Sequence, residues 1–315
     1  MAEPEDLTEL SKRSWVRTAK RTVGEFQQDN LMDWAAALTY YAVLSIFPAL
    51  IALVSVVGLV LDPRTLTDEL TDVVRSLGPS SAVQTFEGPI ESLAGNKGRA
   101  GVLLVVGIAV ALWTASAWVG AFMRASNAIY EVEEGRPLWK RRPLQILVTL
   151  VMVLLLALVL LALVLTGPVA SKVGSAIGIG DTVVTVWGVA KWPALLLVVM
   201  GMLAVLYFSS PNVRLPRFRW VTPGSVVAVL IWILASAGFA VYVANFDSYD
   251  KTYGTLGGVV TFLVWLWIGN LAVLLGQEIN AEVERSREME GGAPGAEHAL
   301  QLPPRDPPDE RVETA

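Results

Sequence analysis

Cysteine is absent from the 315 residues, and histidine occurs once, at His298. The first absence excludes disulfides, thiolate metal sites and cysteine nucleophiles. The second leaves no histidine cluster to hold a metal or activate water, so neither a catalytic residue nor a metal site is expected. No Gly-x-x-x-x-Gly-Lys-Ser/Thr loop is present, and no nucleotide or other cofactor is expected. Charge is missing too, but locally. Residues 34–61, 100–123, 143–171, 192–213, 220–246 and 252–277 hold no Asp, Glu, Lys or Arg.

Each of these windows reaches the about 20 apolar residues that a helix needs to cross a bilayer, where only a helix or a closed barrel satisfies its own backbone. Runs such as VMVLLLALVLLALVL (151–165) are apolar on every face, which suits lipid and not the surface of a water-soluble fold. A hydrophobic content of 54% agrees. The reading is an all-α polytopic membrane protein with six transmembrane helices, near 34–61, 100–123, 144–167, 190–209, 221–246 and 254–277. Residues 1–33 form a leader with no cleavable signal peptide, 34–285 the membrane domain, and 286–315 a disordered cytoplasmic tail.

Basic residues set the orientation. Lys12, Arg13, Arg17, Lys20 and Arg21 precede the first span; Arg124, Arg136, Lys140, Arg141 and Arg142 follow the second; Arg214, Arg217 and Arg219 follow the fourth. The intervening segments carry only Lys172, Lys191 and Lys251, apart from a long first loop where acids accompany the bases. Positive charge marks the cytoplasmic side, so both termini belong there and the protein belongs in the cytoplasmic membrane. In the leader, Trp15, Ala19, Val23 and Phe26 recur at helical spacing between basic flanks. This is an amphipathic helix, lying either on anionic lipid headgroups or against the bundle. Leu66, Leu70, Val73, Val74 and Leu77 predict a helical extracytoplasmic first loop.

Polar residues at membrane depth are the candidate site, because each is costly there. Tyr40, Tyr41, Ser45 and Pro48 fall along one side of the first span, with a kink at the proline, and Asn270 lies deep in the sixth. They define either a substrate path or tyrosines packed beside a tolerated kink. Arg124, one turn from the end of its span, is matched with Glu278 as a candidate ion pair. Tyr253, Gly254 and Gly258 open the last helix, either as an anion-binding turn or as tight packing.

The segments DWAAALTYYAVLSIFPAL (33–50), LWTASAWVGAFMRASNAIYEVEEGRPLWKRR (112–142), LYFSSPNVRLPRFRWVTPGSVVAVLIW (206–232) and YDKTYGTLGGVVTFLVWLWIGNLAVLLGQEINAEVER (249–285) resemble the YihY/BrkB family of bacterial inner-membrane proteins. The resemblance covers about residues 10–285 and implies six membrane helices and a poorly defined biochemical role. Ribonuclease BN, virulence and serum-resistance labels all occur among members. The positions it carries over are Pro48, Asn127, Tyr130, Gly135, Arg136, Pro137, Pro211, Asn212, Tyr253, Gly254 and Gly258. Where members read Gly-Ala-Glu, this chain has Gly276, Gln277 and Glu278, so Gln277 has no family support.

The leading functional expectation is a non-enzymatic transporter or binder of a small or lipid-like solute, with the lipid bilayer as its partner. The alternative is a membrane scaffold without substrate. The third is a ribonuclease, disfavoured because membrane topology already accounts for the basic cluster 136–142, so no nucleic acid partner is expected.

Overall fold

The structure, a computed structural model, describes residues 10–58, 100–164, 181–244 and 255–308. Seven helices occupy them: α1 (Lys12–Gln28), α2 (Leu31–Gly58), α3 (Ala100–Ile129), α4 (Leu138–Val164), α5 (Asp181–Ser209), α6 (Pro223–Ala244) and α7 (Thr255–Gly291). Among the described residues, Ile108–Ile129, Leu138–Leu163, Val186–Ser209, Pro223–Tyr242 and Gly258–Gly291 are long and apolar enough to cross a membrane, and Leu31–Ile46 is a shorter apolar helix. The protein is thus an all-α polytopic membrane protein with five to six long apolar helices. The helical first loop expected from the sequence lies outside the described residues, as do Tyr253 and Gly254.

The chain divides into two compact units. The first comprises Met1–Val43, Trp118–Val148 and Val199–Ala315; the second comprises Leu44–Ala117 and Thr149–Val198. In the second, Ala111, Leu112 and Val153 form a small core joined by Ile108 and Leu150. Trp113, Leu158, Val189 and Leu197 stay exposed, as lipid-facing side chains should.

In the first unit, α7 packs on α6 and on α1. Gly224 and Gly276 let α6 and α7 meet backbone to backbone, since a Cβ on Gly224 would strike the Gly276 carbonyl. Two side chains tie α7 to α2: Trp267 Nε1 donates to the Met32 carbonyl at 3.2 Å, and Asn270 Nδ2 donates to Thr39 Oγ1 at 3.2 Å. α1 starts at Ser11, whose side chain accepts from the Ser14 amide. It presents Ser14, Thr18 and Thr22 to α7, where Thr18 and Ser286 hydroxyls bond at 2.7 Å. The opposite face, with Trp15, Val16 and Val23, remains exposed.

The tail differs from expectation. α7 continues to Gly291, and residues 292–308 are ordered against the helices rather than free. Gly292, at φ +77°, closes α7, with Ala293 N–H bonding the Glu288 carbonyl at 2.9 Å. Ala296 is fully buried, and its carbonyl accepts from Arg285 Nε at 3.2 Å. A composition rich in Pro, Gly and Ala lacks periodicity, but here order comes from hydrogen bonds to the backbone, which need none.

Candidate functional site

Three segments meet where α3 and α5 end. α3 stops in a Schellman turn: Val132 N–H bonds the Asn127 carbonyl at 2.9 Å and Glu131 N–H bonds Ala128 at 3.0 Å. Glu131 takes the left-handed position at φ 52°, a conformation that costs a non-glycine residue roughly 1 kcal/mol. The turn delivers Glu134 and Arg136. Arg136 grips Glu134 with two parallel bonds, Nε to Oε1 at 2.7 Å and NH2 to Oε2 at 2.8 Å. It also donates to the carbonyls of Ser209 and Ser210, at 3.3 and 2.8 Å. These carbonyls end α5, where helix geometry leaves acceptors unpaired and the dipole favours a cation.

Arg305 from the tail fills the rest of that end, donating to the Phe208 and Val213 carbonyls and lying over the Phe208 ring. Asn212, fully buried, joins all three segments: its amide N–H reaches Asn127 Oδ1 at 2.8 Å, and its Nδ2 reaches the carbonyls of Glu133 at 3.0 Å and Asp306 at 2.8 Å. Gly135 is required here, because a Cβ would collide with the backbone of Asp306 and Pro307. Burial pushes the Glu134 carboxyl up, but the Arg136 guanidinium outweighs it and holds the group below its usual range. Burial, aided by the charge of Arg136, lowers Arg305.

Beside this knot lies a cavity of about 50 Å³ between α3, α5, α6, α7 and the α5–α6 connection. Arg217, Arg219, Thr222, Tyr130, Asn280 and Glu284 supply its polar wall, with Phe208, Leu215 and Pro223 as the apolar one. Glu284 is partly neutralised by Arg287 at 2.9 Å. The space admits water or a small anionic group, whereas a drug-sized solute needs about 300 Å³ or more. Trp220 and Val221 are exposed on the same connection, and Trp220 covers Gly201.

A second polar cluster joins α1 to α7. Arg21 pairs with Glu282, and Arg285 reaches Glu282 at 3.2 Å, Glu25 at 3.3 Å and Glu131 at 3.6 Å. One turn away, Glu278 is buried beside Asp29, the residue that ends α1.

Several expected partnerships are rearranged. Arg124 does not pair with Glu278. It donates to the Gly120 carbonyl at 3.1 Å and stands 5.6 Å from the Tyr41 ring, while Glu278 faces the turn between α1 and α2. A bond to the carbonyl one turn back satisfies this arginine within its own helix. Tyr40 points outward at 62% exposure and touches Tyr41 edge to face. Asn270 is engaged by Thr39. Ser45 and Pro48 belong to the second unit, where Ser45 Oγ is buried and has no partner among the described residues. No described atom lies within 4 Å of a Cβ placed on Gly258. Of the motif positions, Asn127, Tyr130, Gly135, Arg136, Pro211 and Asn212 do converge. Arg305 and Asp306 were missed; the Gly291–Gly292 stop followed by Pro303, Pro304 and an arginine was the available signal.

A family model described as "Virulence factor BrkB" matches residues 22–300. The ribonuclease-like protein YfkH of Bacillus subtilis (strain 168) is 32% identical over 255 residues, covering 81% of this chain and 90% of the relative. A UPF0761 membrane protein of Alteromonas mediterranea is 26% identical over 281 residues, covering 89% and 90%. One from Alkalilimnicola ehrlichii is 29% identical over 287 residues, covering 86% of this chain but 60% of the relative, so the chain spans about three-fifths of some curated relatives it matches. No solved structure matches. With a family model covering most of its length, and a relative 32% identical over most of both chains, the chain belongs to the BrkB/UPF0761 family of polytopic membrane proteins.

Proposed function

We propose that the protein binds the headgroup of an anionic, lipid-like solute at the cytoplasmic face of the cell membrane, without catalysis, as the docking step in retaining or moving that solute. The observation that carries this reading is the small cavity bearing Arg217, Arg219 and Thr222 beside the exposed Trp220 and Val221. Guanidinium groups pair with phosphate through parallel hydrogen bonds, and tryptophan favours the headgroup layer. The orientation, six spans and both termini inside, rests on the Lys and Arg distribution. The exposed Trp15, Val16 and Val23 face of α1, flanked by Lys12, Arg13 and Lys20, supports a second contact with anionic headgroups.

A scaffold without substrate is favoured by one observation: Asn270 is spent on Thr39, which removes the deepest polar side chain from any path through the bundle. The reading above therefore puts the solute at the surface. The name of YfkH suggests ribonuclease chemistry, and cleavage of RNA by the purified protein would replace the proposal.

The test is equilibrium binding to purified full-length protein of short-chain phosphatidylglycerol, phosphatidylcholine and glycerol phosphate. Phosphatidylglycerol should bind saturably and more tightly than the other two. The Arg217→Gln, Arg219→Gln double variant should lose about tenfold in affinity, or 1.4 kcal/mol. Equal binding of the two lipids, or an unaffected double variant, contradicts the reading.

A further inference from the structure

The junction of α1 with α7 carries more acid than base around the buried side chains of Glu278, Glu282 and Arg285. From α1 come Arg21 and Glu25, and from the turn that ends it Asp29; from the end of α3 come Tyr130 and Glu131; from α7 come Glu278, Glu282 and Arg285. Both guanidiniums are committed to Glu282, with Arg285 also shared by Glu25 and Glu131. Neither is paired with Asp29 or Glu278. Yet the carboxyls of Asp29 and Glu278 lie within hydrogen-bonding reach of each other, Glu278 is 1% exposed, and its Oε2 finds no partner. Two carboxylates in contact cannot both ionise out of water, whereas one proton between them turns repulsion into a short hydrogen bond.

We propose that Asp29 and Glu278 form a proton-binding site, a carboxyl–carboxylate pair holding one proton at neutral pH, and that loss of this proton loosens α1 from α7. The site sits at a bend suited to that role. Asp29 ends α1, its backbone N–H donating to the Glu25 carbonyl at 2.8 Å, and Asn30 follows at φ 52° before α2 begins. Repulsion at Asp29 therefore acts on the one turn that connects α1 to the membrane helices. Burial, reinforced by Glu25, Glu131 and Glu282, pushes Asp29 up to about 6, although its bond with Glu278 pulls the other way. The sign follows from linkage: the stability carried by Asp29 is present below its ordinary value of 3.8 and is lost as pH rises through about 6, which leaves the pair with its single proton; removing that last proton, from the more deeply buried Glu278, is what opens the junction in alkali. The junction is firmest in acid. This inference is independent of the headgroup reading, since it involves none of the cavity arginines.

The absence of native cysteine makes the test clean. Spin labels at Val23→Cys on α1 and His298→Cys on the tail of the full-length protein in nanodiscs report the junction. Infrared spectra of the unlabelled protein report the protonated carboxyl. At neutral pH the wild type should show a protonated-carboxyl band that disappears in Glu278→Gln and shifts in frequency in Asp29→Asn, where the buried Glu278 keeps its proton but loses its carboxylate partner. Driving the wild type strongly alkaline should lengthen the label separation, and Glu278→Gln should keep the neutral-pH separation. A band unchanged in both variants, or an alkaline opening that persists in Glu278→Gln, overturns the proposal. Asp29→Asn, at the more accessible partner, serves as the control should the α7 variant fold poorly.

Discussion

The two units are held by different forces. Among its described side chains the second unit carries one charge, Lys191, and its core is Ala, Leu and Val. The first buries Arg136, Asn212, Glu278, Glu282 and Arg285 and pairs most of their polar atoms. Apolar packing in lipid is tolerant, because hydrocarbon outside a helix resembles hydrocarbon inside it. A buried guanidinium tolerates little, because each lost partner leaves an unpaid desolvation. Specific geometry, and with it the cavity and the carboxyl pair, belongs to the unit with charges.

Substitution separates the two kinds of cohesion. Arg136→Ala strands Glu134 and the carbonyls that end α5, and should cost about 3–5 kcal/mol in an unfolding titration. Val153→Ala in the second unit should cost about 1 kcal/mol. Equal losses would erase the distinction. Asn212→Ala removes bonds to three segments at once and should cost about 2–3 kcal/mol. Deleting residues 302–315 removes Arg305 and Asp306, costs about 2 kcal/mol, and should expose the 205–215 segment to proteolysis.

Acid provides a smaller effect of opposite sign to the carboxyl pair. Because Arg136 depresses Glu134, the stability this pair contributes is present above the ordinary value of 4.5 and is lost as pH falls below it. Arg136→Ala should flatten that part of the pH profile. The smallest change is expected for Arg124→Met, within about 1 kcal/mol, since it loses only a contact over Tyr41 and a bond within its own helix.

Helices were readable because membrane spans are coded by the absence of charge, a signal spread over many residues. Orientation of side chains around a helix was less so. Arg124 and Glu278 match in charge and depth, yet hydropathy does not say which way each faces, and Glu278 turned toward Asp29. The knot was half visible: Asn127, Arg136 and Asn212 stood out as motif positions, but what closes on them is a tail whose composition suggests disorder. Its order depends on Arg305 finding the open end of α5, a long-range contact with no local pattern. The α1 stripe was legible, but the face that packs on α7 is Ser14, Thr18 and Thr22, small polar residues that a hydrophobic count ignores.

Hydrogen–deuterium exchange of the full-length protein, with and without short-chain phosphatidylglycerol, tests most directly whether function resides in the charged unit. Slowed exchange confined to residues 205–225 and 280–290, with 108–117 and 150–160 unchanged, is the predicted result. Protection in the second unit, or the same protection from phosphatidylcholine, would contradict it.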